Sequence, residues 1–141
     1  MRLILPRLAP FYERSSEIAY AVLRVVAGLA LVTHGWPKIQ NPTGAAGMVE
    51  GLGFYPGPLW SVLLSCTEFF GGILLAFGLL TRPAALATSV VLAVTVYFHW
   101  IVMDQGYEGA EKSIIWLAVL LLLAAKGAGP HSADRAVGRE F

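Results

Sequence analysis

Four long apolar runs, separated by short polar or Gly- and Pro-rich connections, dominate the pattern of this chain. Each run is close to, or somewhat below, the ~20 residues that a helix needs to cross a bilayer. The pattern predicts an all-α protein, an integral membrane four-helix bundle with up-down-up-down topology. Because the connections are short, we expect one membrane domain over residues 1–141. The four predicted helices cover about residues 18–39, 59–80, 83–103 and 111–126, of which the last is the shortest.

The connections indicate which helices are neighbours. Thr81 and Arg82 are the residues between the second and third runs, so these two helices must form a tight antiparallel pair. Residues 41–58 form the longest connection, which is mostly apolar despite its many glycines and prolines. We therefore expect this connection to lie against the membrane or to fold over the bundle.

The two terminal segments are predicted to lie outside the bundle. Residues 1–16 combine arginines with apolar side chains, and two prolines argue against a long helix, so we interpret them as a lead-in on the membrane surface. A cleaved signal peptide is the rival interpretation, but the basic region is long and no Ala-x-Ala-like site follows it. At the other end, the polar tail 127–141 contains Ser132 and Asp134, either of which could cap a short helix.

Composition supports a membrane protein and excludes other classes. Hydrophobic residues make up 57% of the chain and charged residues only 13%, whereas about a quarter of a soluble domain is charged. The formal net charge is +1 and no block of Lys and Arg exists, so the composition gives no case for nucleic-acid binding. Cys66 is the single cysteine, which excludes an internal disulfide or a CxxC pair. Any redox chemistry must therefore use a bound small molecule or a partner.

Basic residues gather at one end of the predicted bundle. The positive-inside rule places that end, with both termini, in the cytoplasm. The connections 41–58 and 104–110 then face outward, which is the periplasm in a Gram-negative bacterium. The basic end carries Arg2, Arg7, Arg14, Arg82, Lys126, Arg135 and Arg139, and the other end carries Lys38 and Lys112.

Two charged residues, Arg24 and Glu68, fall deep within the predicted spans. A charge at such a depth must face protein, water or an opposite charge, because hydrocarbon does not solvate it. We predict that Arg24 and Glu68 form a structural ion pair between the first two helices. A proton or substrate relay is the alternative.

A second group of polar residues gathers in the outer half of the spans. His34 in the first run and His99 in the third lie at about the same depth, and Lys38 and Glu111 lie further out. One hypothesis is a shared site, and the other is that each histidine is a hydrogen-bonded helix-end residue. Iron could formally use the two histidines and Glu111, but only their depth supports this, so no metal site is predicted.

The tryptophans lie in the same outer half. An interfacial belt of aromatic residues explains them, and a ring-stacking ligand site is the alternative explanation. They are Trp36, Trp60, Trp100 and Trp116.

Several short motifs follow one another in a fixed order along about residues 18–135. They are Arg24 with Gly28, His34-Gly35-x-x-Lys38, Glu68-x-x-Gly71-Gly72, Gly78-x-x-Thr81-Arg82, His99, Glu111 and Gly127-x-Gly129-x-x-Ser132-x-Asp134. This ordered set resembles the DoxX family of small four-helix bacterial membrane proteins. The family is similar to the membrane subunit of thiosulfate:quinone oxidoreductase. The resemblance implies a multi-pass protein of the bacterial cytoplasmic (inner) membrane and, for some members, a quinone-linked role.

Three hypotheses of function follow. The first is a quinone-interacting subunit of a membrane redox system, which needs another redox subunit or a homo-oligomer because no flavin, haem or iron–sulfur motif is visible. The second is a non-enzymatic membrane anchor or assembly subunit of a redox complex. The third is a small-molecule carrier, for which four short helices suffice only in an oligomer. In the first, His34, His99 and Glu111 bind the ligand or transfer protons, and the quinone contacts are His34, Trp36, Lys38, His99, Trp100 and Trp116.

Overall fold

A computed structural model describes residues 5–139, which contain helices and no β-strand. The predicted all-α class is therefore confirmed. A 3-10 turn (Pro6–Leu8) precedes the first helix, and a π-helical turn (Phe98–Val102) follows the fourth. In chain order the helices are α1 (Ala9–Gln40), α2 (Ala46–Gly51), α3 (Gly57–Phe77), α4 (Thr81–Tyr97), α5 (Gly106–Lys126) and α6 (Ala133–Val137).

Three of the helices within residues 5–139 are long and apolar enough to cross a membrane. They are α1 with its 3-10 turn, α3, and α4 with its π-helical turn. The helix α5 is as long as α3, with 21 residues, but its first turns carry Glu108, Glu111 and Lys112. A fourth span through α5 and the orientation of the termini therefore remain predictions.

The first long helix begins earlier than the apolar pattern predicts. α1 starts at Ala9, so much of the segment expected on the membrane surface is helical. Pro10 does not prevent this, because it lies in the first turn, where a backbone N–H has no partner within the helix. The described chain excludes residues 1–4 of that segment and residues 140–141 of the predicted tail.

The end of α5 and the cap of α6 agree with the sequence pattern. α5 ends at Lys126, and Gly127 follows with a φ of 84°, a conformation that glycine adopts readily. Ser132, one of the two predicted caps, accepts a hydrogen bond from Arg135 N at 3.3 Å at the start of α6.

Glycines on facing sides let α1 and α3 pack closely. A Cβ on Gly28 would lie 2.5 Å from the backbone nitrogen of Ala76, and one on Gly72 would lie 2.7 Å from the carbonyl oxygen of Gly28. A Cβ on Gly35 would lie 2.6 Å from the nitrogen of Phe69. These contacts fix the register of α1 against α3. α4 packs against α3 and α5 against α4, whereas α1 and α5 touch little and leave space between them.

The segment after α5 closes one end of the bundle, which we call the tail end. The Asp134 carboxylate accepts hydrogen bonds from Leu80 N at 2.8 Å and Thr81 N at 3.1 Å, and so caps the start of α4. On α1, the Tyr20 hydroxyl donates to the carbonyl oxygen of Gly127 at 2.6 Å. The segment therefore ties α1 and α4 to the end of α5.

Candidate functional site

The predicted ion pair between Arg24 and Glu68 is wrong. Among residues 5–139, Arg24 is 2% exposed and its guanidinium donates to the carbonyl oxygens of Ala128 and, at 2.7 Å, of His131. Glu68 pairs instead with the ammonium group of Lys38. The glycine register of α1 on α3 is the physical reason, since it sets Arg24 beside the tail end and Lys38 beside Glu68.

A polar cavity of about 440 Å³ lies between α1, α4 and α5. It is at the end of the bundle opposite the tail end, and we call this opposite end the site end. α1 supplies His34 and Lys38, α3 supplies Glu68, and the π-helical turn supplies His99. His34 is exposed and His99 is half-buried. The structure thus places both histidines on one cavity. Its other polar or aromatic lining residues are Thr95, Glu108, Lys112, Ser113 and Trp116.

The assignment of Glu111 to this cavity is wrong, because Glu111 does not line the cavity and another face of α5 does. Residues four apart share one face of a helix, so Glu108, Lys112 and Trp116 line the cavity together. The sequence pattern predicted that this helix begins at residue 111. Glu108 was therefore not recognised as part of the same helix face as Lys112 and Trp116. With the helix start at Gly106, Glu108 is the carboxylate that α5 contributes to the cavity.

Two of the predicted ring contacts also lie elsewhere. Trp36 is exposed, with its ring centroid 5.7 Å from that of Phe69, and it lines neither of the larger cavities within residues 5–139. Trp100 is likewise exposed and packs edge-on against Tyr107 at 6.0 Å. Both fit an interfacial aromatic belt, whereas Trp116 lines the polar cavity.

An apolar cleft of about 490 Å³ lies between α3 and α4, bordered by α2. Leu63 on α3 and Val90 on α4 line this cleft and are exposed on the flank of the bundle. On helices apolar enough to span a membrane, we expect such a flank to face lipid, and the cleft opens on this flank. The other apolar lining residues are Met48, Val49, Leu52, Phe54, Trp60, Leu64, Ala87, Val91, Val94 and Phe98.

The polar cavity and the apolar cleft meet at four shared residues, Lys38, Glu68, Thr95 and His99, which we call the junction. The Glu68 side chain is 7% exposed and that of Lys38 is 33% exposed. Charged groups within a membrane protein mark sites of function more often than sites of packing. A molecule entering the cleft from lipid would meet two charges and an imidazole at the junction.

Backbone geometry at the end of α4 places His99 at the junction. The chain leaves the α-helical pattern for one π-helical turn, in which Met103 N donates to the carbonyl oxygen of Phe98 at 2.9 Å. Such turns occur often at functional sites. His99 Nδ1 lies 2.8 Å from the side-chain oxygen of Gln105, a residue that sequence analysis missed because no pattern singled it out.

Metal binding finds no support in the described part of the chain. No group of three or more His, Cys, Asp or Glu side chains there lies close enough to hold a metal ion. The two histidines and Glu111, the formally available iron set, do not converge, because Glu111 lies outside the cavity.

These features define an all-helical membrane protein with a polar cavity at one end and an apolar cleft beside it. The chain belongs to the DoxX family, whose profile matches residues 19–100, so the predicted family is confirmed. The matched stretch contains all four junction residues.

Three relatives extend the comparison. The chain is 28% identical to "Inner membrane protein YqjF" of Escherichia coli K12 over 131 residues. This alignment covers 92% of this chain and 99% of the relative. An uncharacterized protein of Haemophilus influenzae Rd is 31% identical over 129 residues, 86% of this chain and 92% of the relative. "Putative oxidoreductase CatD" of Bacillus subtilis 168 is 31% identical over 80 residues, 57% of this chain and 58% of the relative. No solved structure matches the chain.

Proposed function

We propose that this chain is a quinone-interacting subunit of a membrane redox system. The observation that carries the proposal is the junction, where an apolar cleft on the exposed flank of the bundle meets a polar cavity. A quinone has the same division, with a ring that bears two carbonyl acceptors and an apolar isoprenoid chain. The isoprenoid chain occupies the cleft, and the ring reaches the junction. Both spaces fall within the range of about 300–1,000 Å³ that is usual for ligand sites.

The polar groups around the junction suit the oxygen atoms of a quinone. Lys38 donates hydrogen bonds and offsets the negative charge that develops when a quinone is reduced. Glu68 holds the Lys38 ammonium in place through their ion pair. His34 and His99 bind a ring oxygen or exchange a proton with it near neutral pH.

Another redox protein supplies or accepts the electrons, because a quinone exchanges two electrons and the side chains of the site offer no redox group. A relative named as an oxidoreductase supports this redox setting. In the proposed arrangement the chain is a multi-pass inner-membrane protein with both termini in the cytoplasm. The site end then faces outward, and the redox partner or a second copy docks from that side or within the membrane.

Tryptophan fluorescence tests the proposal, because a bound quinone quenches nearby indoles. Trp60 lines the cleft and Trp116 lines the polar cavity, whereas Trp36 and Trp100 lie outside both. Titration of short-chain ubiquinone and menaquinone analogues into the protein in nanodiscs should give saturable quenching.

The matched pair of double variants locates the quenching. Trp60→Phe with Trp116→Phe should remove most of the saturable quenching, and Trp36→Phe with Trp100→Phe should keep it. Quenching that never saturates, or that both double variants reduce equally, would contradict the proposal. The alternative, a non-enzymatic anchor or assembly subunit, would then be favoured.

A further inference from the structure

Gln105 contacts His99 through both its backbone and its side chain. The backbone nitrogen of Gln105 donates to the carbonyl oxygen of His99 at 3.1 Å, and the side-chain Oε1 lies 2.8 Å from His99 Nδ1. His99 belongs to the π-helical turn, and Gln105 is the residue immediately before α5. Two contacts to one neighbour restrain the orientation of the imidazole ring more than a single hydrogen bond would.

The first turn of α5 leaves room for the Gln105 side chain. A Cβ on Gly109 would overlap the Cβ of Gln105 and would lie 2.6 Å from its Oε1. A glycine inside a helix is less favourable than an alanine. The space that Gln105 needs is a physical reason for glycine at this position.

The contact determines which nitrogen of His99 is available to a ligand. A glutamine side-chain oxygen only accepts hydrogen bonds, so this contact is a hydrogen bond in the tautomer of His99 that carries the hydrogen on Nδ1. In the neutral imidazole, Nε2 is then an acceptor. Among the described residues, His99 lines both the polar cavity and the apolar cleft, whereas Gln105 lines neither. Nδ1 is therefore engaged outside the two spaces, and Nε2 is the nitrogen left for a ligand.

We propose that Gln105 is a positioning residue that keeps His99 in this tautomer, so that the junction selects the hydroxyl-bearing, reduced form of a ring ligand. This selectivity for the reduced form rests on the proposed function, and it specifies the redox state of the quinone ligand that the junction prefers. A quinol O–H donates to Nε2, whereas a quinone carbonyl has no hydrogen to donate. Lys38 donates to the oxygen of either form and does not discriminate. One hydrogen bond made only by the reduced form favours that form by roughly threefold to tenfold.

The first test is the tautomer itself and needs no ligand. Long-range ¹H–¹⁵N spectra of histidine-labelled protein in nanodiscs, at a pH of about 8, separate an acceptor nitrogen from one that carries hydrogen. The His99 signals are identified by their loss in His99→Gln. The expected wild-type pattern has the hydrogen on Nδ1. Gln105→Glu, which retains an acceptor oxygen, should keep that pattern, and Gln105→Met should shift it toward a mixture of tautomers.

The second test compares the affinities of a short-chain quinone analogue and its dithionite-reduced quinol. The wild type should bind the quinol roughly threefold to tenfold more tightly. Gln105→Met should lose this preference while its affinity for the quinone is unchanged, and Gln105→Glu should keep it. Gln40→Met is the matched control, because Gln40 donates to the carbonyl oxygen of Trp36 on α1 and lines neither space.

Distinct outcomes separate the proposals. A wild-type spectrum with the hydrogen on Nε2 overturns the positioning role of Gln105, whatever the behaviour of the variants. Equal affinity for quinol and quinone in the wild type overturns the selectivity. Binding of neither form overturns the proposed function and the selectivity together, and the wild-type spectrum still decides the positioning role.

Discussion

At the scale of single residues, the ion pair of Lys38 and Glu68 affects both the stability of the fold and the proposed site. Removal of two charges from water costs free energy, which their attraction recovers only in part. Apolar residues of similar size would therefore stabilise this position at least as well. The location of the pair at the junction supports a role in ligand contact rather than in packing.

The two partners of this pair should respond differently to substitution. Lys38→Met should lower the free energy of unfolding by about 3 kcal/mol, because it leaves the Glu68 carboxylate buried without its cation. Glu68→Gln should cost less, since the Lys38 side chain is one-third exposed and can reach solvent. The double variant Lys38→Met with Glu68→Met should regain most of the stability but not bind quinone.

Thermal unfolding in detergent, followed by circular dichroism, measures these changes. An equal loss of stability in both single variants would contradict the assigned burial. Full quinone binding by the double variant would show that the ion pair does not contribute to the proposed quinone site.

At the scale of elements, the seam between α1 and α3 decides which side chains meet. Facing glycines let the two backbones approach closely. They are Gly28 and Gly35 on α1 and Gly72 on α3. Because a Cβ at any of these glycines would overlap the facing backbone or side chain, the glycines permit this close register. That register brings Lys38 to Glu68.

A methyl group at this seam should therefore be costly. Gly28→Ala should lower the free energy of unfolding by about 1–3 kcal/mol, because the new Cβ would lie 2.5 Å from the nitrogen of Ala76. Gly47→Ala in α2 is the matched control, since no heavy atom lies within 4 Å of its Cβ position. The control should be neutral or stabilising by about 0.4–1 kcal/mol. Equal effects of the two substitutions on thermal unfolding would exclude the close seam.

At the scale of the whole molecule, the two ends of the bundle differ. Arg24 and Asp134 hydrogen-bond to the backbone at the tail end and close it. The polar cavity and the apolar cleft both lie at the site end. This arrangement suits a site that is reached from lipid and from one aqueous side. It gives less support to a carrier, which requires access from both sides.

Reporter fusions test the proposed orientation of the two ends. Alkaline phosphatase, which is active only outside the cytoplasm, should be inactive after Phe141 and active when inserted between α2 and α3. A fluorescent protein that folds in the cytoplasm should give the opposite pattern and serves as the control. Phosphatase activity at the C-terminus would reverse the orientation and place the site end in the cytoplasm.

Much of this protein follows from the sequence alone, because the length of an apolar run directly reflects the length of a helix. The runs predict the all-α class, and the short connection at Thr81 predicts the tight pair of α3 and α4. Motif order predicts the family, and equal depth along two helices predicts that His34 and His99 are neighbours. The inferences about the helices and the histidines depend on distance along a helix, which a sequence records at ~1.5 Å per residue.

Only the tertiary structure decided which faces of the helices meet. Equal hydrophobicity around a membrane helix does not specify rotation or register, so sequence paired Arg24 with Glu68 and assigned Glu111 to the cavity. In the structure, packing of glycine against backbone sets the register of α1, and the early start of α5 turns Glu108 toward the cavity. The junction combines residues from three helices and a π-helical turn, and their proximity depends on rotation and register, which local pattern does not encode.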